Sequence, residues 1–181
     1  SQCNAKVILV DIEPETLGMD FLILKEILKK YKPKVLQLVH VYGFPAKDTL
    51  KILKICKQNG IKVIEDTSES LGATINGKKV GTFGDINVTS IRSEKMIGVG
   101  EGAVISTNNK TLSERISLIA SRYSPFRKSS DPYWKKYFVN GEGYNYLMPH
   151  LLGSVARGQI ERFKNSLLPK KIKVGRNYRS Y

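Results

Sequence analysis

Residues 34–66 read KVLQLVHVYGFPAKDTLKILKICKQNGIKVIED, and this stretch decides the fold. Two short runs rich in Val, Ile and Leu, at 34–40 and 61–66, flank a segment whose apolar residues recur every three or four positions. Short apolar runs bounded by turn residues read as strands, and the 3.6-residue spacing between them reads as an amphipathic helix. Asp48 stands where it can cap the start of that helix, and Gly60 where it can end it. Strand, helix and strand in so short a span are the signature of a parallel βαβ unit.

Working outward, KVILVD at 6–11 is expected to be a buried strand. The polar connection IEPETLGMD leads from it into a helix over FLILKEILKK at 21–30. Residues 6 to 66 therefore alternate strand, helix, strand, helix, strand. Beyond Asp66 the chain turns through the glycine-rich segment 68–85. INVTSI (86–91) and AVIST (103–107) then predict two more strands around a glycine-rich connection. LSERISLIASR (112–122) predicts an amphipathic helix, 124–145 a long functional loop, and roughly 150–163 a last helix before a basic tail. There is no internal repeat and no low-complexity tract.

With 181 residues, 41% of them hydrophobic, the chain can bury a core and fits one domain or part of a larger one. No apolar stretch approaches the ~20 residues that a membrane span needs. Cys3 and Cys56 lie far apart, and no apolar leader or arginine-rich presequence precedes them, so a reducing cytoplasm is the expected compartment. Cys56 sits on an amphipathic helix and reads as a structural thiol. The net charge of +14 would attract polyanions. The lysines of LKEILKK, LKILKICKQ and LLPKKIK, however, are spread over helix faces without interleaved aromatics, and no nucleic-acid motif accompanies them. His40 and His150 are the two histidines, and neither has ligand-type neighbours at the spacing zinc demands.

In an open parallel sheet, ligands bind beyond the carboxyl ends of the strands. Asp66 ends one strand and Ser90 another, and Lys95 follows Ser90 within IRSEKMIGVGEGA. Taken alone, Asp66 serves equally well as a helix cap or a solvated turn residue, and Lys95 as one more surface lysine. A lysine that must approach an aldehyde does, however, benefit from small neighbours that let the backbone pack close. GVGEGA also fits the G-x-G-x-x-A dinucleotide pattern, but a strand follows it where that fingerprint needs a helix, which argues against a nicotinamide enzyme.

In order, VDIEPETLGMD, HVYGFPAKD, VIEDTSESLGA, KVGTFGD, the Ser90 to Lys95 spacing, GEGAVIST and GYNYLMPHLLGSVARGQIERF resemble the DegT/DnrJ/EryC1/StrS sugar aminotransferases across nearly the whole chain. DPYWKKYFVNGEGYNY is most similar to the family's perosamine-synthase branch. The resemblance implies an α/β fold: part of the large domain of a type I pyridoxal-phosphate aminotransferase, a mostly parallel sheet flanked by helices. Residues 1–181 would form its central portion. The phosphate-binding turn and ring-stacking aromatic would lie upstream, and a small domain downstream. Such a fragment, which opens on Ser rather than Met, is expected to be inactive by itself.

The same resemblance assigns roles. Lys95 falls where the family's lysine bears pyridoxal 5'-phosphate and shuttles protons. Asp66 matches the carboxylate that keeps the pyridine nitrogen protonated, and Ser90 a hydroxyl on the cofactor phosphate. Asn145 matches an asparagine that reaches the neighbouring subunit's phosphate, which implies a homodimer. Glu69 stands near the cofactor's phenolic oxygen, where glutamine or histidine is common. The implied substrates are a nucleotide-linked keto-deoxysugar, aminated at C4, and an amino-acid donor, commonly glutamate. The basic surface would at most help to draw the anionic sugar nucleotide. Ala103 for a glycine, Leu147 for an arginine, and the segment Gly153 to Arg157 depart from the family pattern. Two alternatives stand beside this reading: a sugar dehydratase, whose branch has histidine in place of the lysine, and a degenerate non-catalytic binding protein.

Overall fold

The computed structural model describes residues 3–123, 130, 132–134, 139 and 141–179. Two compact units emerge, one running to Ser90 and including Ala103–Ile105, the other comprising Ile91–Gly102 and the residues from Ser106 onward.

In the first unit α1 (Phe21–Lys30) leads to β1 (Val35–Val39), α2 (Thr49–Gln58) and β2 (Lys62–Asp66). A two-residue-per-strand hairpin, β3 (Thr74–Ile75) and β4 (Lys78–Lys79), precedes β5 (Ile86–Ser90), and β6 (Ala103–Ser106) completes a sheet of order β1-β2-β5-β6. β1, β2 and β5 run parallel, with Val39 opposite Asp66 and Asp66 opposite Val88. The hairpin turns at Asn76 and Gly77, both at positive φ, the conformation that makes Asn-Gly the favoured two-residue turn.

The helix between β1 and β2 ends as expected. Gly60 has φ +67°, and the next amide, that of Ile61, returns to Cys56 O at 2.9 Å, closing the last turn. Its start differs from expectation: Asp48 holds the capping position but makes no cap hydrogen bond, and its carboxylate pairs instead with Lys51 at 2.7 Å. α1 is the better-capped helix, since Asp20 accepts from the amides of Leu22 (2.7 Å) and Ile23 (3.0 Å). Leu36 and Leu38, alternate residues of β1, share one buried cluster with Val63 of β2, Ile52 and Cys56 of α2, Leu24 of α1, and Ala46 and Ile61. Burial pushes the Cys56 thiol up to about 11, which keeps it protonated and inert.

The segment 6–11 is not a strand. Val10 packs against the core, but Val7 and Leu9 are 72% and 86% exposed. A continuous apolar run marks a stretch for burial but does not supply a partner, and no described strand provides the ladder that would make this extended stretch part of the sheet. Residues 13–18 form a tight turn in which the Glu13 carboxylate accepts from the amides of Glu15 (2.8 Å), Thr16 (3.0 Å) and Gly18 (3.2 Å). A Cβ on Gly18 would stand 2.6 Å from Ala46 Cβ and 2.9 Å from Ala46 Cα. Gly18→Ala is therefore expected to cost about 1–3 kcal/mol through overpacking. Urea unfolding of the two forms checks it.

In the second unit the loop 91–102 folds back on itself: Ile91 N–H donates to Gly102 O, Ser93 N–H to Gly100 O and Val99 N–H to Ile91 O, each at 3.0 Å. α3 (Lys110–Ala120) is capped by Asn109 through the Leu112 amide at 3.0 Å. The helix expected over roughly 150–163 is longer than its periodicity suggests. α4 (His150–Arg162) passes through a widened turn, Phe163–Leu167, into α5 (Leu168–Arg179), so the basic tail is helical. Leu168 N–H reaches back to Phe163 O, and Pro169, with no N–H to donate, follows at the first turn of α5. Much of the loop expected at 124–145 lies outside the described residues.

Candidate active site

Adjacent residues of a strand point to opposite faces of the sheet, so register separates the side chains at its carboxyl edge into two sets. Asp66 lies opposite Val88, which places Ser90, two residues on, on the same face as Asp66 and on the neighbouring strand. Ser68 ties the two together: its amide donates to Asp66 Oδ1 at 3.0 Å, and its hydroxyl accepts from the Ser90 amide at 3.1 Å. The other oxygen of Asp66 accepts from Gln37 Nε2 of β1 at 3.3 Å. A carboxylate offers about four lone-pair sites, so Asp66, half-buried, retains acceptor capacity for a further donor. Glu69 lies exposed just past the strand end, where its Oε2 accepts from the Tyr42 amide at 3.2 Å.

The opposite face holds an arrangement that the sequence reading did not foresee. Glu65 and His40 are fully buried. One Glu65 oxygen faces His40 Nε2 at 3.2 Å and accepts from the Gly81 amide at 2.8 Å. The other accepts from the amides of Phe83 and Gly84, both at 2.6 Å. His40 Nδ1 itself accepts from the Ala46 amide at 3.0 Å, so the ring proton sits on Nε2 and points at Glu65. Burial works to raise the Glu65 carboxyl, but the imidazole N–H and three amides outweigh it and hold the group below its ordinary value. Beside this pair, Thr67, Asn87 and Thr89 form a second buried polar cluster, with Thr67 Oγ1 2.9 Å from Asn87 Oδ1 and 2.7 Å from Thr89 Oγ1. The signal available in the sequence was the pair Glu65-Asp66: two consecutive carboxylates in a buried strand cannot share a face, and one must find donors inside.

Lys95 and Asn145 belong to the second unit. Lys95 is half-buried, and its amide closes a turn on Arg92 O at 3.0 Å. Ile91, Ile97 and Val99 of the same loop are buried. Gly98 makes the close packing possible, since a Cβ there would stand 2.4 Å from Ser93 O. Arg92 in turn pairs with Glu94 (3.6 Å) and Glu101 (3.4 Å). Asn145 is exposed and bridges to Ser121 at the end of α3. Its neighbours fix it there: Arg122 N–H donates to Tyr144 O at 2.8 Å, Tyr146 N–H donates to Ala120 O at 2.9 Å, and the rings of Tyr144 and Tyr146 stack at 5.0 Å.

A parallel sheet with a carboxylate and a hydroxyl side by side at its carboxyl edge is the ligand-binding architecture of α/β enzymes. Residues 1–180 match the DegT/DnrJ/EryC1/StrS aminotransferase family, and the chain belongs to it. It is 31% identical to GDP-perosamine synthase of Vibrio cholerae over 99% of this chain and 46% of that protein. With GDP-perosamine synthase of Caulobacter vibrioides it shares 32% identity over 96% of this chain and 44% of the other. It thus spans less than half the length of these relatives. Among solved structures, the E coli GDP-4-keto-6-deoxy-D-mannose-3-dehydratase with bound hydrated PLP superposes with a TM-score of 0.75 at 27% identity, covering 85% of this chain and 42% of that one.

Proposed function

We propose that the protein carrying this chain is a pyridoxal-phosphate-dependent aminotransferase that transfers an amino group, from glutamate, to the C4 keto group of a nucleotide-linked deoxysugar. The observation that carries this reading is the pairing of Asp66 and Ser90 on one face at the ends of adjacent parallel strands, in a chain of this family. The donor set suits pyridoxal phosphate: a half-buried carboxylate with acceptor capacity left over for a protonated pyridine nitrogen, and a strand-end hydroxyl for a phosphate. When bound, the cofactor supplies an electron sink for a carbanion at the reacting carbon.

The chain's own residues would divide the remaining work. Lys95 bears the cofactor and carries protons to and from the substrate carbons. Asp66 stabilises the pyridinium charge, and Ser90 binds the phosphate. Glu69, whose carboxylate accepts from the Tyr42 amide, would meet the cofactor's phenolic oxygen. Asn145 reaches the phosphate site of a second subunit, so the working enzyme is a homodimer, with residues 1–181 as the central part of its cofactor domain. We place it in the cytoplasm; no described helix is long and apolar enough to cross a membrane.

Likeness to a dehydratase keeps deoxygenation as a second reading. Incubating the intact protein with pyridoxal phosphate, glutamate and a nucleotide-linked 4-keto-6-deoxyhexose, then weighing the product by mass spectrometry, separates the two. The expected product carries an amine in place of the carbonyl oxygen. A product that has lost its C3 hydroxyl and gained no nitrogen contradicts the proposal.

A further inference from the structure

We infer that His40 and Glu65 are positioning residues for the Asp66 and Glu69 carboxylates, acting from the opposite face of the sheet through the backbone on which those carboxylates stand. The inference rests on the cofactor reading above.

Glu65 is the residue before Asp66, and its side chain leaves the strand on the other side. Its two oxygens receive four donors, the full complement of a carboxylate, from two separate segments. The first is the turn 81–84, which leads into the strand that ends at Ser90. That turn is shaped for the contact: Gly81 has φ +82°, and a Cβ on Gly84 would stand 2.9 Å from Val63 O. The second is the loop after β1, closed by the His40 ring, which joins Glu65 at Nε2 to the Ala46 amide at Nδ1.

That loop grips the site at two points. His40 N–H donates to Asp66 O at 3.1 Å, which extends the ladder to the last residue of β2. Tyr42 N–H then holds Glu69 at 3.2 Å. Tyr42 itself has φ +51°, a left-handed conformation that a tyrosine adopts at a cost, so the loop must be held from elsewhere to keep its amide aimed at Glu69. The imidazole bridge from Ala46 to Glu65 is the hold that the geometry provides. Neither His40 nor Glu65 meets the ligand side of the sheet, so both act only through the backbone they fix.

The test compares His40→Gln, His40→Asn and His40→Leu in the intact protein. Glutamine presents an oxygen to Ala46 N–H and an N–H to Glu65; asparagine is a methylene too short to reach both; leucine offers neither. The readouts are the dissociation constant for pyridoxal phosphate, the absorption spectrum of the bound cofactor, and far-UV circular dichroism as a check on folding. Expected are affinity within about threefold of wild type and an unchanged spectrum for glutamine, with binding at least tenfold weaker and a displaced spectrum for leucine, and asparagine in between. Folded His40→Leu with wild-type affinity and spectrum overturns the inference, as does a glutamine variant no better than leucine. If the leucine variant does not fold, the glutamine and asparagine pair decides, and equal affinities overturn it. Wild-type protein that takes up no pyridoxal phosphate overturns both this inference and the function it rests on, whereas the other contrary results leave that function standing.

Discussion

Lys95→Ala in the intact protein is expected to remove the visible absorption of bound pyridoxal phosphate and to lower transamination by at least ~10³-fold, within the range that a positioned proton-transfer group supplies. Lys95 lies on a short turn whose backbone is fixed at several points: its own amide on Arg92 O, the Ser93 and Gly100 pair, and the close approach of Gly98 to Ser93 O. Ile91, Ile97 and Val99 of the same loop are buried, so the backbone that carries the lysine is anchored. An amine in that position does two jobs, holding the cofactor and carrying a proton between carbons, and alanine does neither. The substitution removes a half-buried surface side chain and leaves the apolar neighbours intact, so circular dichroism should be unchanged. A folded variant with the wild-type spectrum contradicts the role given to this residue.

The second large effect falls on stability. Glu65→Gln puts an amide nitrogen where one carboxylate oxygen now accepts two N–H donors, so donors meet donors in a fully buried site. The expected loss is about 2–6 kcal/mol at neutral pH, roughly 1–3 for each of the two buried N–H donors left without an acceptor. Its dependence on pH has a definite sign. The folded state holds the Glu65 carboxyl below its ordinary value of 4.5, so its stabilising contribution is fully present above about pH 4.5 and fades as pH falls through the lower folded value. The gap between wild type and variant in urea unfolding should therefore be widest at neutral pH and narrow in acid. A gap that stays constant from pH 7 to pH 3 means that Glu65 is not the ionised acceptor described here.

How much of this was legible beforehand follows from what each signal specifies. The βαβ unit was readable because Leu36, Leu38, Ile52 and Cys56 lie at the spacings that a strand and a helix impose. The apolar run at 6–11 misled, because it says nothing of whether a neighbouring strand exists to pair with it. The residues after Phe163 read only as a basic tail because lysines and Pro169 mask helical periodicity, and a widened turn absorbs the proline without ending the helix. Strand ends pointed to Asp66 and Ser90, and register has put them side by side. Lys95 and Asn145 were singled out by resemblance, since nothing in a lysine or an asparagine's immediate spacing marks it among so many. His40 was passed over as a histidine without ligands. Its partner, Glu65, is 25 residues away and becomes a neighbour only through the parallel register of β1 and β2.

The most direct test of the central claim is borohydride reduction of the intact protein loaded with pyridoxal phosphate, followed by proteolysis and mass-spectrometric mapping of the modified peptide. Reduction makes the lysine–cofactor bond permanent. The expected result is a single cofactor-bearing lysine, Lys95, in the peptide that follows Ser90. Stoichiometric label on any other lysine, or no label on a protein that is folded and saturated with cofactor, contradicts the account.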